Sequence, residues 1–350
     1  MEINLEAIDM RLQHLRNYTQ SSSYSKQKSS LRIDFESFLS SLPNVKTLHF
    51  ATPTDVSRFL VWKDRNGKTV LHVNGCPDAH LGEWNTILGF GNPANSLEVQ
   101  RYMKAFTEEQ LRAHITPKQA VPLFLPKLLL LARFWNKQMT EPSVTPSTLF
   151  LLARDQAFFR TLFFSADRGS DLGLVKTSEI LHFPQDDGFL FNHIWGKTLK
   201  DGASNTFGIR RHQNPELCPV KAIETYVAIC SELQIILTEG YLFRPTNPQG
   251  HILKKPFTSS AADARLKIYL KQAHIDEGET LHSFRCGSAI TLALSGSQLA
   301  DIMSHVGWNS KGTALYYMKL AEVLRAGSCF QHCKIQILVL RKKLLVKKIT

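Results

Sequence analysis

The sequence predicts a mainly α protein of two domains, the second carrying a small β-hairpin. Three observations predict it. Helical periodicity runs through most of residues 31–140 and resumes beyond them. An Asp-Gly turn, Lys200-Asp201-Gly202, separates two short apolar runs at 189–195 and 206–211, which is a hairpin pattern. Pro142 and Pro146 interrupt the helical text over 140–146, where a hinge between domains is expected. A chain of 350 residues with 43% hydrophobic content has enough material for two cores.

Taken in order, residues 5–18 read as a short amphipathic helix. The Ser-rich stretch 21–30, with two lysines, reads as a flexible linker, so 1–30 stands apart. Helical patterns at 34–42, 54–63, 96–113 and 118–139 then build an all-helical domain over 31–140. Thr52-Pro53-Thr54-Asp55 and Thr116-Pro117 are helix-start signals. Arg65-Asn66-Gly67-Lys68 reads as a turn ahead of a short strand at 69–73. Gly89 and Gly91 precede a helix but lack the lysine and strand of a nucleotide loop. The second domain, 141–327, opens at Thr145-Pro146-Ser147 with a helix leading toward Arg168, and further helices follow the hairpin at 219–233 and 259–274. Residues 328–350 form an atypical tail of alternating apolar and basic clusters.

The net charge of +12 suits a polyanionic partner. Half of that excess sits in Lys334, Arg341, Lys342, Lys343, Lys347 and Lys348 of the tail, so charge agrees with nucleic-acid binding without requiring it. Six cysteines are scattered, and the first ten residues carry acids and no apolar run. Free thiols in a reducing, intracellular compartment are expected, with no membrane segment. His72, Cys76 and His80 have metal-like spacing, but a Gly75-Cys76-Pro77 turn and the lack of a clear fourth ligand argue against a metal site.

The chemistry lies in the second domain. His282-Ser283-Phe284-Arg285 is followed by Gly307-Trp308 and, nine residues after the tryptophan, by Tyr317. Upstream, Arg168 follows a helix and Asp171 lies three residues later; Lys197 sits just before the hairpin turn. Attack on a phosphodiester needs fixed cations at the non-bridging oxygens, and arginine supplies a planar, permanently charged fork. Tyrosine can form a reversible covalent bond to phosphorus, lysine or histidine can protonate the leaving oxygen, and an indole N–H can donate to a phosphate oxygen.

In this order Arg168, Lys197, His282, Arg285, Trp308 and Tyr317 resemble the active site of the tyrosine recombinases, over residues 146–324. The resemblance implies that Tyr317 attacks the phosphate and forms a 3′-phosphotyrosyl link. It implies that Arg168 and Arg285 hold the non-bridging oxygens with His282 and Trp308, and that Lys197 protonates the 5′ oxygen. Asp171 would orient Arg168 or a neighbouring histidine. No metal, ATP or other cofactor is implied; the partner is double-stranded DNA, and the working form is a homo-tetramer on it. Domain 31–140 resembles the helical core-binding clamp of that family. Glu83-Trp84-Asn85, residues 89–94, Glu108-Glu109-Gln110 and Pro117-Lys118-Gln119-Ala120 resemble Crypton-type recombinases of eukaryotic DNA transposons, which implies a mobile element and a nuclear location.

Rival readings stay open within the sequence. Tyr316 rivals Tyr317, because adjacent helical positions point about 100° apart and only one can reach a phosphate. Lys200 rivals Lys197. His305 reads as structural, and Cys286 as a buried, inert thiol. A relative that binds DNA without cutting it is the alternative to an enzyme, and a type IB topoisomerase is a third option.

Overall fold

The structure, a computed structural model, describes residue 10 and residues 22–65, 93–112, 120–194, 204–247, 249–308 and 310–324. Outside these lie nearly all of the expected helix 5–18, the strand 69–73, the His72/Cys76/His80 triplet, the Gly89/Gly91 pair, the hairpin turn with Lys197 and Lys200, and the tail. The chain forms two compact units, Met1–Gln119 and Ala120–Thr350.

In the first unit α1 spans Ser22–Ser40. It takes in the serine-rich stretch that composition assigns to a flexible linker, so that expectation is corrected. The stretch holds no glycine or proline, its Lys and Gln favour helix, and it runs straight into Phe35, Phe38 and Leu39, whose burial anchors the same helix. Helix α2 (Pro53–Arg65) opens at the expected signal. The Thr52 N–H donates to Asp55 Oδ2 at 2.9 Å and the Asp55 N–H donates back to Thr52 Oγ1 at 3.3 Å, a reciprocal cap. Helix α3 (Leu97–Arg112) packs on α2. Phe35, Phe38, Leu39, Phe59, Leu60, Val99 and Phe106 form the core of this unit.

The second unit begins with an extended segment, residues 120–124, followed by α4 (Leu125–Met139) and α5 (Pro146–Ser165). The helix expected from residue 118 starts only at Leu125, where Pro126 occupies the first turn. Leu128, Leu131 and Trp135 of α4 are fully buried, and Trp135 stacks on Phe159 of α5 at 5.7 Å. The prolines at 142 and 146 therefore join two helices of one core, and the division between units falls at residue 119 instead of 140. Thr145 caps α5 by accepting from the Thr148 N–H at 3.2 Å.

Helix α5 is buried on nearly every side. Phe150, Leu152, Phe158, Phe159, Leu162 and Phe163 give it the apolar bulk, each contributing about 1.5–3 kcal/mol by leaving water. Asp155, also buried, accepts from Arg154 Nε at 2.8 Å, Arg265 Nε at 2.7 Å and the Tyr269 hydroxyl at 2.6 Å, so this internal charge is matched. A short helix α6 (Gly169–Leu172) leads to a three-stranded antiparallel sheet of order β1-β2-β3. The expected hairpin is β2 (Gly188–His193) and β3 (Asn205–Arg210), in register from Gly188 opposite Arg210 to His193 opposite Asn205. The three-residue edge strand β1 (Ile180–His182) is an addition that sequence reading missed.

Helices α7 (Pro219–Glu232) and α8 (Ser259–Gln272) match their expected positions. Three more follow among the described residues: α9 (Leu281–Leu294), α10 (Leu299–Val306) and α11 (Lys311–Leu324). The fold is thus mainly helical with one small sheet, as the sequence predicts. No described helix is long and apolar enough to cross a membrane, and no metal-holding cluster occurs among the described residues.

Candidate active site

The end of α5 sets the first arginine. Ala166 takes a left-handed backbone, φ 51, and turns the chain out of the helix. Asp167 follows; its Oδ1 accepts from the Arg168 N–H at 2.8 Å. Arg168 then stands at the N-terminus of α6, its Nη1 3.5 Å from Asp171 Oδ2, while Ser170 Oγ donates to the other Asp171 oxygen at 2.9 Å. Asp171 thus pairs with Arg168 across one turn.

Helix α9 carries His282 and Arg285 one turn apart. Arg285 is only 3% exposed, and its Nη1 donates to the Ala166 carbonyl at 2.6 Å. That carbonyl belongs to the negative end of α5, so the bond joins the two arginine-bearing segments by charge as well as geometry. Arg285 Nη2 is buried without a partner. Burial, and then the like charge of Arg168, pull the Arg285 pKa down to about 10, with Asp167 and Asp171 opposing. His282 keeps an exposed surface, but desolvation and then Arg285 and Arg168 hold its imidazole below the usual value. The extended segment 120–124 crosses α9 at this point. The Leu123 N–H donates to the Ser283 carbonyl at 2.9 Å, and a Cβ on Gly287 would sit 1.6 Å from the Leu123 oxygen. Residue 287 is glycine because another backbone occupies the space of a side chain.

The Gly-Trp pair is a helix stop. Gly307 ends α10 at φ +69, and the Trp308 backbone N–H closes onto the Met303 carbonyl at 2.9 Å. This turn brings the Trp308 ring under the Arg285 guanidinium, 5.6 Å from its carbon. Tyr317 of α11 stacks on Trp308 with ring centres 4.9 Å apart and planes 11° apart. Its hydroxyl lies 3.1 Å from Cys286 Sγ. Desolvation, followed by that thiol, raises the phenol well above its ordinary pKa, and Arg285 opposes the rise. Tyr316 turns outward and is 46% exposed, so helical phase separates the two tyrosines. His305 is structural, as expected: its Nε2 meets the Phe164 carbonyl at 2.8 Å and ties α10 to α5.

At the turn end of the hairpin His193 is 2% exposed, with Nδ1 3.2 Å from Asp167 Oδ2 and Nε2 unpartnered. Burial would lower its pKa, but Asp167, and then Asp171 and Glu179, reverse that and leave it raised. Opposite it in the ladder, Asn205 faces Gly307: a Cβ there would lie 3.6 Å from Asn205 Nδ2. The turn end of the hairpin is thus held between the arginine turn and the Gly-Trp turn.

Solved structures share this architecture. The Tn1549 transposon integrase in complex with transposon right end DNA matches with a TM-score of 0.56 at 11% identity, covering 90% of this chain and 97% of that one. A lambda integrase dimer bound to a COC′ core site gives 0.54 at 15% identity, covering 90% and 77%. The XerH site-specific recombinase bound to palindromic difH substrate, a post-cleavage complex, gives 0.53 at 14% identity, covering 85% and 77%.

The fold is that of the tyrosine recombinases.

A family model described as the ALOG domain matches residues 12–87. No curated protein is similar in sequence. Within the tyrosine-recombinase fold, Arg168, Asp171, His282, Arg285, Trp308 and Tyr317 converge on one place, while Lys197 lies outside the described residues. Sequence reading missed one neighbour of this place, His193, and the contact made by another, Cys286. His193 reads as an ordinary strand residue, because its partner Asp167 is distant in the chain. Cys286 stands next to Arg285 in the sequence, yet only the helix crossing reveals its contact with Tyr317.

Proposed function

We propose that this chain is a site-specific DNA recombinase that cleaves and rejoins double-stranded DNA through a 3′-phosphotyrosine at Tyr317. The observation that carries the reading is the convergence of Tyr317, two arginines, a histidine and an indole in one described unit, with Arg285 Nη2 lacking any partner. A buried, unsatisfied guanidinium N–H is costly unless an acceptor arrives, and a non-bridging phosphate oxygen is such an acceptor.

In this mechanism the Tyr317 oxygen bonds to phosphorus and the bond from phosphorus to the 5′ oxygen breaks. Arg168 and Arg285 hold the charge that builds on the non-bridging oxygens, and the Trp308 indole N–H donates to one of them. His282, with its lowered pKa, is neutral near pH 7 and can accept a proton or donate a hydrogen bond there. Lys197 gives the 5′ oxygen its proton. The 5′ hydroxyl of a second strand then attacks phosphorus and releases Tyr317, so bond energy is conserved in the link. The chain is read as a nuclear enzyme of a Crypton-type mobile element that works as a homo-tetramer on DNA. Its charge of +12 and the DNA present in the similar recombinase structures support the choice of partner.

The test is a nicked suicide duplex made from the ends of the encoding element, run with wild type, Tyr317→Phe and Tyr316→Phe on a denaturing gel. A covalent adduct is expected from wild type and Tyr316→Phe and none from Tyr317→Phe. The raised phenol pKa and its thiol contact favour one second reading, a silent DNA-binding relative. Binding of the duplex with no adduct in wild type would establish that reading instead.

A further inference from the structure

A second anionic site is suggested by a cavity of about 290 Å³ between the C-terminal part of α4, the middle of α5 and the start of α7. Asn136, Thr140, Gln156, Arg160, Glu216 and Lys221 line it with polar atoms. Gln156 and Arg160 stand one turn apart on α5, each 2% exposed. Arg160 Nε and Nη2 have no hydrogen-bond partner, and neither does Gln156 Oε1. The nearest carboxylate is not free to serve: Glu216 is engaged by Arg133, with contacts of 3.2 to 3.3 Å. Burial accordingly pulls the Arg160 pKa down to about 10, with Cys218 and Glu216 opposing only in part.

The contrast with Arg154 on the same helix is informative. Arg154 is equally buried but bonds Asp155 and the Arg244 carbonyl, as a buried cation in a finished core does. Arg160 has been left without such a partner and faces open volume. The cavity is near the lower end of ligand-pocket sizes, which suits a small molecule. Lys221 adds a second, exposed cation, and the orphan Gln156 oxygen asks for a hydroxyl or amine on the ligand.

We propose that this cavity binds a small free oxyanion, a phosphate monoester or hydroxycarboxylate, with Arg160 and Lys221 holding the charged group and Gln156 accepting from a ligand hydroxyl. The proposal stands independently of the recombinase reading, since no residue of the cavity belongs to the Tyr317 site.

The experiment is thermal unfolding of the full chain titrated with inorganic phosphate and with glycerol 3-phosphate, against potassium chloride at matched ionic strength. A saturable rise in Tm of about 2–4 °C is expected with either anion, larger at equal concentration with glycerol 3-phosphate. Arg160→Met should lose the rise without a lower Tm in buffer, since it removes an unpaired buried charge. Gln156→Glu should place a carboxylate beside Arg160 from within, raise Tm in buffer and abolish the response. Lys221→Ala, at an exposed position, should weaken the response several-fold and serves if Arg160→Met does not fold. Arg168→Ala should respond as wild type does. No response in wild type, or a response kept in both Arg160→Met and Lys221→Ala and lost in Arg168→Ala, overturns the proposal.

Discussion

His193 and Asp167, 3.2 Å apart and both buried, fasten the turn end of the β2–β3 hairpin to the segment that presents Arg168. The Asp167 carboxylate serves both segments, because its other oxygen accepts the Arg168 backbone N–H. The pair therefore couples the placement of the hairpin to the placement of an arginine.

The first prediction concerns pH. The folded pKa of His193 is raised above its usual 6.5. Its contribution to stability is then fully present below pH 6.5 and is lost as pH rises through the folded value. The difference in Tm between wild type and His193→Gln should be largest near pH 5.5 and should shrink toward pH 8. His282 and His305 have lowered pKa values and act with the opposite sign, but they are common to both proteins and cancel in the difference. A difference that grows with pH would sink the assignment.

Arg285 should show a conflict between stability and activity. It is buried with one nitrogen unsatisfied and its charge opposed by Arg168. Arg285→Met is expected to unfold at a temperature no lower than wild type, because a desolvated, incompletely paired cation is replaced by an apolar chain. Covalent adduct should fall by at least about 100-fold, the usual loss when a transition-state donor is removed. Differential scanning calorimetry and the suicide-duplex gel, run on one preparation, check both halves.

Gly287→Ala should be among the most damaging single-methyl changes in the chain. The new carbon would meet the Leu123 carbonyl oxygen at 1.6 Å, and that oxygen is backbone, not a flexible side-chain end. Overpacking of this kind typically costs about 1–3 kcal/mol, and the upper end or beyond is expected here. Denaturant unfolding measures it; a loss below about 0.5 kcal/mol would mean that the segment 120–124 does not lie across α9.

Cys286 should control the proton of Tyr317. The thiol contact at 3.1 Å helps to raise the phenol pKa, second to desolvation. Cys286→Ala should shift the phenol titration downward, read as phenolate absorbance in difference spectra against Tyr317→Phe. An upward shift would show that the thiol favours the phenolate.

How much of this was legible follows from how far each relationship reaches along the chain. Arg285 lies one helical turn after His282, which is a local relationship, whereas Tyr317 was preferred to Tyr316 only through the spacing after Trp308 that the tyrosine-recombinase resemblance implies. The hairpin was legible because Asp-Gly flanked by apolar runs is a local signal. The linker expectation at residues 21–30 failed because serine content was weighed without the apolar helix that follows it. The placement of α4 failed because the prolines at 142 and 146 mark a turn without saying whether the two helices share a core; the burial of Trp135 against Phe159 settles that. His193 with Asp167, Cys286 with Tyr317 and Gly287 with Leu123 all join residues that only the tertiary fold brings together.

The Leu123 crossing also sets a lower limit on any shortened form of the protein. A fragment starting at residue 141, where the prolines invite a cut, would leave the Ser283 carbonyl without its donor and open a trough along α9 beside Arg285. It would also lack Leu128, Leu131 and Trp135, which fill the core beneath α5. A piece that keeps this crossing over α9 has to begin at or before Leu123.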